Sequence, residues 1–348
     1  MLKFAQKFGG YLRLPMVRPH LYSSFYPLML VGSLSVTVLG ELAGLSTVHL
    51  ASAKTMIPPS LSLNQSSVHN PSPFSNQFLI SQSADDYFSS GLEKYEQGDL
   101  SGAIADYTQA IRLKPNYADA YYNRGIVKSD IEDLTGAIVD YSEAIRLKPS
   151  YPEAFLNRGN VKDDLGDING AIRDYSQAIR IKPDYGIAYY NRGISQNKLK
   201  KSRAALADYN EAIRLDPEYV NAYYNRGIVK DELRDYKGAI ADYSEAIRLD
   251  PEYVNAYYNR GIVKDELRDY KGAIADYSEA IRLDPEYANA YYNRGNAYEL
   301  LKDTAKAIAD FQIAALLYRK NGDTTWLNKS RQRIQSLEQN ATQSPKKK

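Results

Sequence analysis

The sequence predicts an all-α solenoid in which helical hairpins stack side by side, and two observations carry this prediction. Glycines that end the string Asn-Arg-Gly recur every 34 residues, and prolines recur with the same step. A fixed period over most of a chain is typical of a stacked array, because each unit buries its apolar face only against its neighbours. The recurring residues are Gly125, Gly159, Gly193, Gly227, Gly261 and Gly295, and Pro115, Pro149, Pro183, Pro217, Pro251 and Pro285.

One unit, residues 118–151, shows why each repeat is a helical hairpin. Its second half carries an apolar stripe with the spacing of an amphipathic helix, and its first half has similar spacing. Pro149 ends the second helix, because proline lacks the N–H group and disfavours a helical residue before it. Glu132 and Asp133 form the polar turn between the halves. The stripe consists of Ala137, Ile138, Tyr141, Ala144 and Ile145.

This pattern resembles the tetratricopeptide repeat. The residues that match the family's pattern are Tyr121, Gly125, Ala137, Tyr141, Ala144 and Pro149. The resemblance implies a right-handed superhelical solenoid of seven helix-turn-helix repeats over residues 84–321, beginning at positions 84, 118, 152, 186, 220, 254 and 288. It also implies that the first helix of each repeat lines a concave groove.

The two ends of the array differ from its middle. In the last unit Arg319 stands where proline is expected, and the apolar residues that follow predict a capping helix over 322–340, which hides the last apolar face. Residues 218–251 and 252–285 are identical, which indicates a recent duplication. Duplicated units favour a repetitive binding surface or a spacer over a single catalytic centre.

The first 53 residues are typical of a secretory signal peptide. A basic head is followed by an apolar stretch of residues 25–39 and by Ala51-Ser52-Ala53. The stretch is shorter than the roughly 20 residues that a membrane-spanning helix needs. An uncleaved signal anchor and an organelle transit peptide are the alternatives. We therefore expect an exported protein of the periplasm or thylakoid lumen, with membrane attachment only through an uncleaved N-terminal segment.

Two further segments are expected to be disordered. Residues 54–83 are rich in Ser, Pro, Asn and Gln and predict a flexible linker. Residues 341–348 end in three lysines and predict a solvated basic tail.

The amino-acid composition excludes several kinds of catalytic and binding site from the repeats. The chain has no cysteine, and its three histidines all precede the repeats, so thiol and imidazole catalysis have no residues to use there. We expect no enzymatic activity, cofactor or metal site. The net charge is +2 with acidic and basic residues interleaved, which provides no basic stripe for nucleic acid. Acidic pairs such as Asp231-Glu232 are interpreted as a solvated helix face or, alternatively, as a weak cation site or an acidic strip for a basic partner.

The sixth position of each unit is the main candidate for ligand binding. By resemblance to repeats in which an asparagine ladder clasps extended peptide, these amides could pair with the backbone of a partner protein. The alternative is that each asparagine bonds within its own repeat. The candidates are Asn123, Asn157, Asn191, Asn225, Asn259 and Asn293.

The fifth position adds tyrosines beside the predicted groove. Tyrosine offers apolar area with a polar tip at low entropic cost. Tyr121 and its equivalents, one position earlier, are expected to be buried. The candidate contact residues are Tyr122, Tyr190, Tyr224, Tyr258 and Tyr292.

A second recurring pair is the arginine before each glycine and an aspartate of the second helix. We hypothesise that each arginine pairs with the aspartate of the preceding unit, for example Arg226 with Asp208, because the first unit has Ser90 instead of arginine. The sequence thus favours a scaffold that binds an extended peptide segment in its concave groove. The alternative is a structural spacer or assembly subunit that uses the convex face or the array ends, and the oligomeric state is open.

Overall fold

In the computed structural model, the described residues are 82–343, with side chains described to 340. The predicted signal peptide, most of the predicted linker and most of the predicted basic tail lie outside these residues. Residues 341–343, which were expected to belong to a disordered tail, instead continue the last helix. The described part consists of fifteen α-helices joined by short turns, and no strand occurs within it. They are α1 (Ala84–Glu96), α2 (Leu100–Leu113), α3 (Ala118–Asp130), α4 (Leu134–Leu147), α5 (Pro152–Asp164), α6 (Ile168–Ile181), α7 (Gly186–Lys198), α8 (Ser202–Leu215), α9 (Val220–Glu232), α10 (Tyr236–Leu249), α11 (Val254–Glu266), α12 (Tyr270–Leu283), α13 (Ala288–Leu300), α14 (Thr304–Lys320) and α15 (Thr324–Gln343).

Aspartate caps begin most of the second helices. In α4, the side chain of Asp133 accepts a hydrogen bond from the backbone N–H of Gly136, which satisfies one of the donors left open at a helix start. The same cap occurs at α2, α6, α10, α12 and α14. Helix α8 differs, because it begins after Lys201, which forms no side-chain cap among the described residues.

A tyrosine packed on a glycine joins the two helices of each pair. Tyr141 of α4 is 2% exposed, and a Cβ atom added to Gly125 of α3 would lie 2.8 Å from its ring. Glycine is required there because the two helices approach closely. Fully buried alanines, including Ala120 and Ala137, fill the rest of each layer.

The curvature of the array follows from its helix contacts. First helices of neighbouring pairs, such as α3 and α5, contact each other, and second helices of neighbouring pairs lie farther apart. The first helices therefore form the inner side of the array. The predicted fold class, a right-handed superhelical solenoid of seven helix-turn-helix repeats with a C-terminal capping helix, is confirmed within residues 82–343.

Helix α15 covers the last pair. Leu327 and Leu337 are buried against α14, and the ring of Trp326 lies 5.0 Å from that of Tyr292. Arg333 also bonds Glu299 of α13 at 2.5 Å. Across residues 82–343, none of the helices combines the length and apolar character needed to cross a bilayer.

Candidate functional site on the first helices

Asparagines at the sixth position of a pair bond to the pair before them. The side-chain Nδ2 of Asn225 donates to Tyr190 Oη at 2.8 Å, and that of Asn259 donates to Tyr224 Oη at 2.9 Å. Each bond crosses from one first helix to the next along the inner side of the array. The same bond joins Asn157 to Tyr122 (3.1 Å) and Asn293 to Tyr258 (3.0 Å).

Two asparagines differ because the preceding pair has no tyrosine at the fifth position to accept their hydrogen bond. Asn123 follows a pair with Phe88 at that place, and it donates to the backbone carbonyl of Asp119 at 2.8 Å. Asn191 follows a pair with Leu156, and it donates to Asn160 Oδ1 at 2.9 Å. Only Asn123 fits the interpretation that these asparagines bond within their own repeat.

The fifth-position tyrosines are packed between two further rings. The ring centroid of Tyr224 lies 5.9 Å from that of Tyr243 and 4.8 Å from that of Tyr253, which directly precedes the first helix of the next pair. Burial raises the pKa of Tyr224 to about 12, although its hydrogen bond with Asn259 acts in the opposite direction. These rings therefore hold neighbouring pairs together.

Burial removes part of the expected contact surface. Tyr258 is 1% exposed, Tyr190 is 8% exposed and Asn293 is 3% exposed, so these three residues belong to the interfaces between pairs. The other candidates are partly exposed: Tyr122, Tyr224, Tyr292, Asn123, Asn157, Asn191, Asn225 and Asn259.

The expectation that Tyr121 and its equivalents are buried is wrong. Tyr121, Tyr223 and Tyr257 are partly exposed, and an arginine of the same helix covers each ring. The guanidinium carbon of Arg226, for example, lies 5.4 Å from the ring centroid of Tyr223. Consecutive helix positions point about 100° apart, and the packing of the next pair decides which of the two tyrosines is covered.

The second position of the last three pairs is a polar site that sequence reasoning missed. Asn255 Oδ1 accepts a hydrogen bond from Tyr287 Oη at 3.4 Å, and Asn289 Oδ1 accepts one from Tyr318 Oη at 2.6 Å. Asn221 receives the same bond from Tyr253 at 3.2 Å. The signal in the sequence is the spacing of 34 residues between these asparagines.

The first two pairs have aspartate at this second position. Burial and a hydrogen bond with Asp85 raise the pKa of Tyr117 to about 12. The pKa of Tyr151 is also raised, by burial first and by contacts that include a hydrogen bond with Asp119. In these two pairs and in the last three, a tyrosine therefore bonds either a carboxylate or an amide at the second position. In the amide case the Oδ1 atom is held and the N–H donors point away from that bond.

The hypothesis that each arginine pairs with the preceding unit is wrong. Arg226 Nε and Nη2 donate to both carboxylate oxygens of Asp242, in its own pair, at 2.9 and 2.7 Å. The bond to the preceding pair comes from Nη1, which donates to Asn210 Oδ1 at 2.7 Å. In the first pair, Ser90 Oγ donates to Asp106 at 2.6 Å, so the serine replaces the arginine within its own pair.

The acidic pairs near the ends of the first helices do not form one solvated face. Asp231 and Asp265 are 8% and 5% exposed. Asp163 accepts a hydrogen bond from Ser195 at 2.8 Å and forms an ion pair with Lys198. Asp163 therefore belongs to a contact between neighbouring first helices.

Comparison with known proteins agrees with this architecture. The family model described as TPR repeat matches six stretches of the chain, and the one described as Tetratricopeptide repeat matches residues 288–321. The six stretches are 91–129, 130–162, 164–200, 195–230, 232–264 and 266–302. No curated protein matches the chain.

Three solved structures resemble parts of the array. A tetratricopeptide repeat protein from Parabacteroides merdae is 21% identical, with a TM-score of 0.54 over 72% of this chain and 99% of its own. PilF of Pseudomonas aeruginosa is 17% identical, with a TM-score of 0.52 over 60% of this chain and 94% of its own. MamA is 27% identical, with a TM-score of 0.46 over 47% of this chain and 96% of its own. The first two show the fold, and together with the family matches they establish that the chain belongs to the tetratricopeptide repeat family of protein-interaction scaffolds.

Proposed function

We propose that this scaffold has no catalytic activity and holds an extended segment of a partner protein against its first helices. The observation that carries the proposal is the row of second-position asparagines in the last three pairs. Asn255 and Asn289 each have Oδ1 held by a tyrosine hydroxyl, which leaves the amide N–H groups to donate to a ligand. Backbone carbonyl groups of an extended peptide are suitable acceptors at regular spacing.

The sixth-position asparagines complement this row. The bond from Asn225 or Asn259 to tyrosine uses one N–H of the amide, and the amide oxygen can accept a hydrogen bond from a peptide N–H. Together the two rows supply donors and acceptors for both backbone groups of a bound segment. Such pairing binds the backbone without reading its side chains, and Tyr122, Tyr224 and Tyr292 would add apolar contact.

Binding can be tested with peptides selected from a random library on the full chain. The test variant replaces Asn221, Asn255 and Asn289 with Asp. Aspartate retains the acceptor for tyrosine, as Asp85 and Asp119 do in the first pairs, but removes the amide donors. We expect the affinity for selected peptides, measured by fluorescence anisotropy, to fall at least about tenfold, because the hydrogen bonds donated by Asn255 and Asn289, of about 1 kcal/mol each, are lost.

The matched control adds the same three charges on the second helices. Ala207, Ala241 and Ala275 are exposed there, and their replacement with Asp should leave peptide affinity within about twofold once the circular dichroism spectra of both variants agree. Equal loss in both variants would indicate a non-specific charge effect. Failure of any peptide to be enriched would contradict the proposal and favour a spacer or assembly subunit.

We also propose that the chain is exported to the periplasm or thylakoid lumen. The support is the basic head, apolar stretch and Ala51-Ser52-Ala53 of the N-terminal sequence. N-terminal sequencing of the protein isolated from its organism should give Lys54 as the first residue. A sequence that begins at Met1 or Leu2 would contradict cleavage, and fractionation would then distinguish a retained anchor from an unexported protein.

A further inference from the structure

One edge of the array is formed by the turns between the first and second helices of each pair, and we call it the turn edge. Because the pairs repeat, all seven turns lie on the same edge. Each turn contributes six residues that run from the end of one helix to the start of the next. The segments are 96–101, 130–135, 164–169, 198–203, 232–237, 266–271 and 300–305.

Charge on the turn edge changes sign in the middle of the array. The first three segments contain only acidic charges, and their exposed members are Glu96, Asp99, Asp130, Glu132, Asp133, Asp164 and Asp167. The fourth contains only basic charges, from the exposed Lys198, Lys200, Lys201 and Arg203. The last three segments contain both acidic and basic residues, and their exposed basic residues include Arg234, Arg268 and Lys302.

Apolar residues are exposed along the same edge. The residue that directly follows a first helix is apolar and about half exposed in four pairs, as Ile131, Leu165, Leu233 and Leu267. Their recurrence one pair apart makes a row of apolar residues between charged ones. A row of this kind suits a protein interface, in which apolar contacts are surrounded by a charged rim.

The fourth turn has room for an acidic partner. An open depression there is lined by Lys200, Lys201, Arg203 and Leu233. Helix α8 begins at this place without the capping carboxylate found in the other second helices. Its positive N-terminal dipole therefore adds to the attraction of the basic side chains for a carboxylate.

We propose that a second copy of this chain docks on the turn edge in antiparallel orientation, with a two-fold axis between the third and fourth pairs. The third turn of one copy then meets the fourth turn of the other, so that Asp164 and Leu165 enter the depression beside Lys201 and Arg203. The second turn meets the fifth, which places Glu132 beside Arg234 and Ile131 beside Leu233. Each contact occurs twice.

Complementarity within one chain favours a second copy over another partner. The three acidic turns and the basic fourth turn lie on one continuous edge and meet at the point through which the axis passes. A two-fold axis at that point pairs the acidic third turn with the basic fourth turn twice and closes the assembly as a dimer, as is usual for soluble homo-oligomers. Exposed ion pairs are screened by salt, so the dimer should weaken as ionic strength rises.

Analytical ultracentrifugation of the full chain tests the proposal with two complementary variants. The first replaces Glu132 and Asp164 with Lys, and the second replaces Lys201, Arg203 and Arg234 with Glu. In low salt the natural chain should be dimeric, and each variant alone should have a dissociation constant at least about tenfold higher, because like charges then meet across the axis. A mixture of the two variants should form dimers again.

The outcomes separate the edge contact from other modes of association. A natural chain that is monomeric at about 100 μM protein, a concentration at which contacts of about 6 kcal/mol are populated, would overturn the proposal. Variants that associate as well as the natural chain would place the contact elsewhere, for example in residues 1–81. A mixture that does not recover the dimer would overturn the antiparallel register. The peptide-binding proposal is unaffected by any of these results, because it concerns the first helices.

Discussion

Arg260 donates from Nε and Nη2 to both carboxylate oxygens of Asp276, at 3.0 and 2.7 Å, while its Nη1 donates to Ser244 of the preceding pair at 2.9 Å. One guanidinium thus closes its own helical pair and contacts the neighbouring one. Bidentate bonds of this kind are among the strongest side-chain hydrogen bonds, and the planar geometry fixes the relative position of the helices. The same arrangement recurs in each pair that has the arginine.

Removal of this arginine should destabilise the array, and the size of the loss should depend on a nearby lysine. Asp276 also bonds Lys264 at 2.7 Å, whereas Asp208 of the fourth pair has Gln196 at the corresponding position. We expect Arg260→Ala to cost about 3 kcal/mol and the equivalent substitution of Arg192 to cost more, because the second leaves a buried carboxylate without that lysine. Chemical denaturation of both variants measures the difference, and an equal loss would show that the lysine does not compensate.

A double-mutant cycle distinguishes the two possible partners of Arg260. Coupling with Asp276 should exceed about 1 kcal/mol, and coupling with Asp242 of the preceding pair should be near zero. The reverse result would restore the pairing that the sequence suggested.

Replacement of a packing glycine should be costly where a tyrosine covers it. An added Cβ at Gly261 would lie 2.7 Å from the ring of the fully buried Tyr277, so Gly261→Ala should destabilise the array by about 1–3 kcal/mol through overpacking. Gly186 is the matched control, since its added Cβ would meet Leu215 at an ordinary 3.6 Å. Gly186→Ala should change stability by less than about 1 kcal/mol, because only helix propensity changes. Thermal melting of both variants decides the comparison.

Substitution with glycine should stabilise the protein at turn residues that have a left-handed backbone conformation. Arg234 and Arg268 both have φ of 62°, while the corresponding residue of the third pair is Gly166 with φ of 83°. A left-handed conformation costs a residue with a Cβ about 1–2 kcal/mol, and substitution with glycine removes this cost. Glycine also loses more conformational entropy on folding, so the net stabilisation is smaller than the cost removed. We expect Arg234→Gly to raise stability by up to about 1 kcal/mol and Arg234→Val to lower it. An unchanged melting temperature in both variants would show that this turn stores no strain.

Alkaline pH should weaken the contacts between pairs. Burial raises the pKa of Tyr224 from its ordinary value of 10.0 to about 12. Below pH 10 the phenol keeps its proton in both states, and its full contribution to stability is present. Between about pH 10 and pH 12 the unfolded chain loses the proton first, so the free energy of unfolding should fall by about 1.4 kcal/mol per pH unit for each such tyrosine. Denaturation at stepped pH measures this slope, which should be smaller in Tyr224→Phe.

The sequence predicts the helical pairs well because their determinants are local. The proline after six of the seven second helices and the apolar stripes act within one unit, and the step between Gly227 and Gly261 repeats that unit along the chain. The partner of Arg226 could not be settled in this way. Asp208 and Asp242 occupy the same position of successive units, and only the packing of neighbouring pairs decides which one lies within reach.

The sequence predicted which positions form the candidate site, but not the hydrogen bonds that these residues make with neighbouring pairs. The ladder of Asn225 and its equivalents follows from the period, but its bond to the preceding tyrosine depends on how far neighbouring first helices are offset. Asn255 and Asn289 were visible in the sequence as a second row with the same spacing. Their significance depends on the tyrosine hydroxyls that hold them. For Asn255 this hydroxyl comes from the residue directly before the next first helix, and for Asn289 it comes from α14 of the same pair.

The most direct test of the account is site-specific photo-crosslinking in the native organism. Ile187 occupies the second position of the fourth pair, is 38% exposed and carries no amide, so a benzophenone amino acid can replace it without removing a proposed contact. Ala207, exposed on the second helix of the same pair, is the control position. If an extended segment lies against the first helices, the probe at 187 should capture a partner protein through one short stretch of its chain, and the probe at 207 should not. Capture at 207 alone would contradict the account and would place the binding surface on the outer helices.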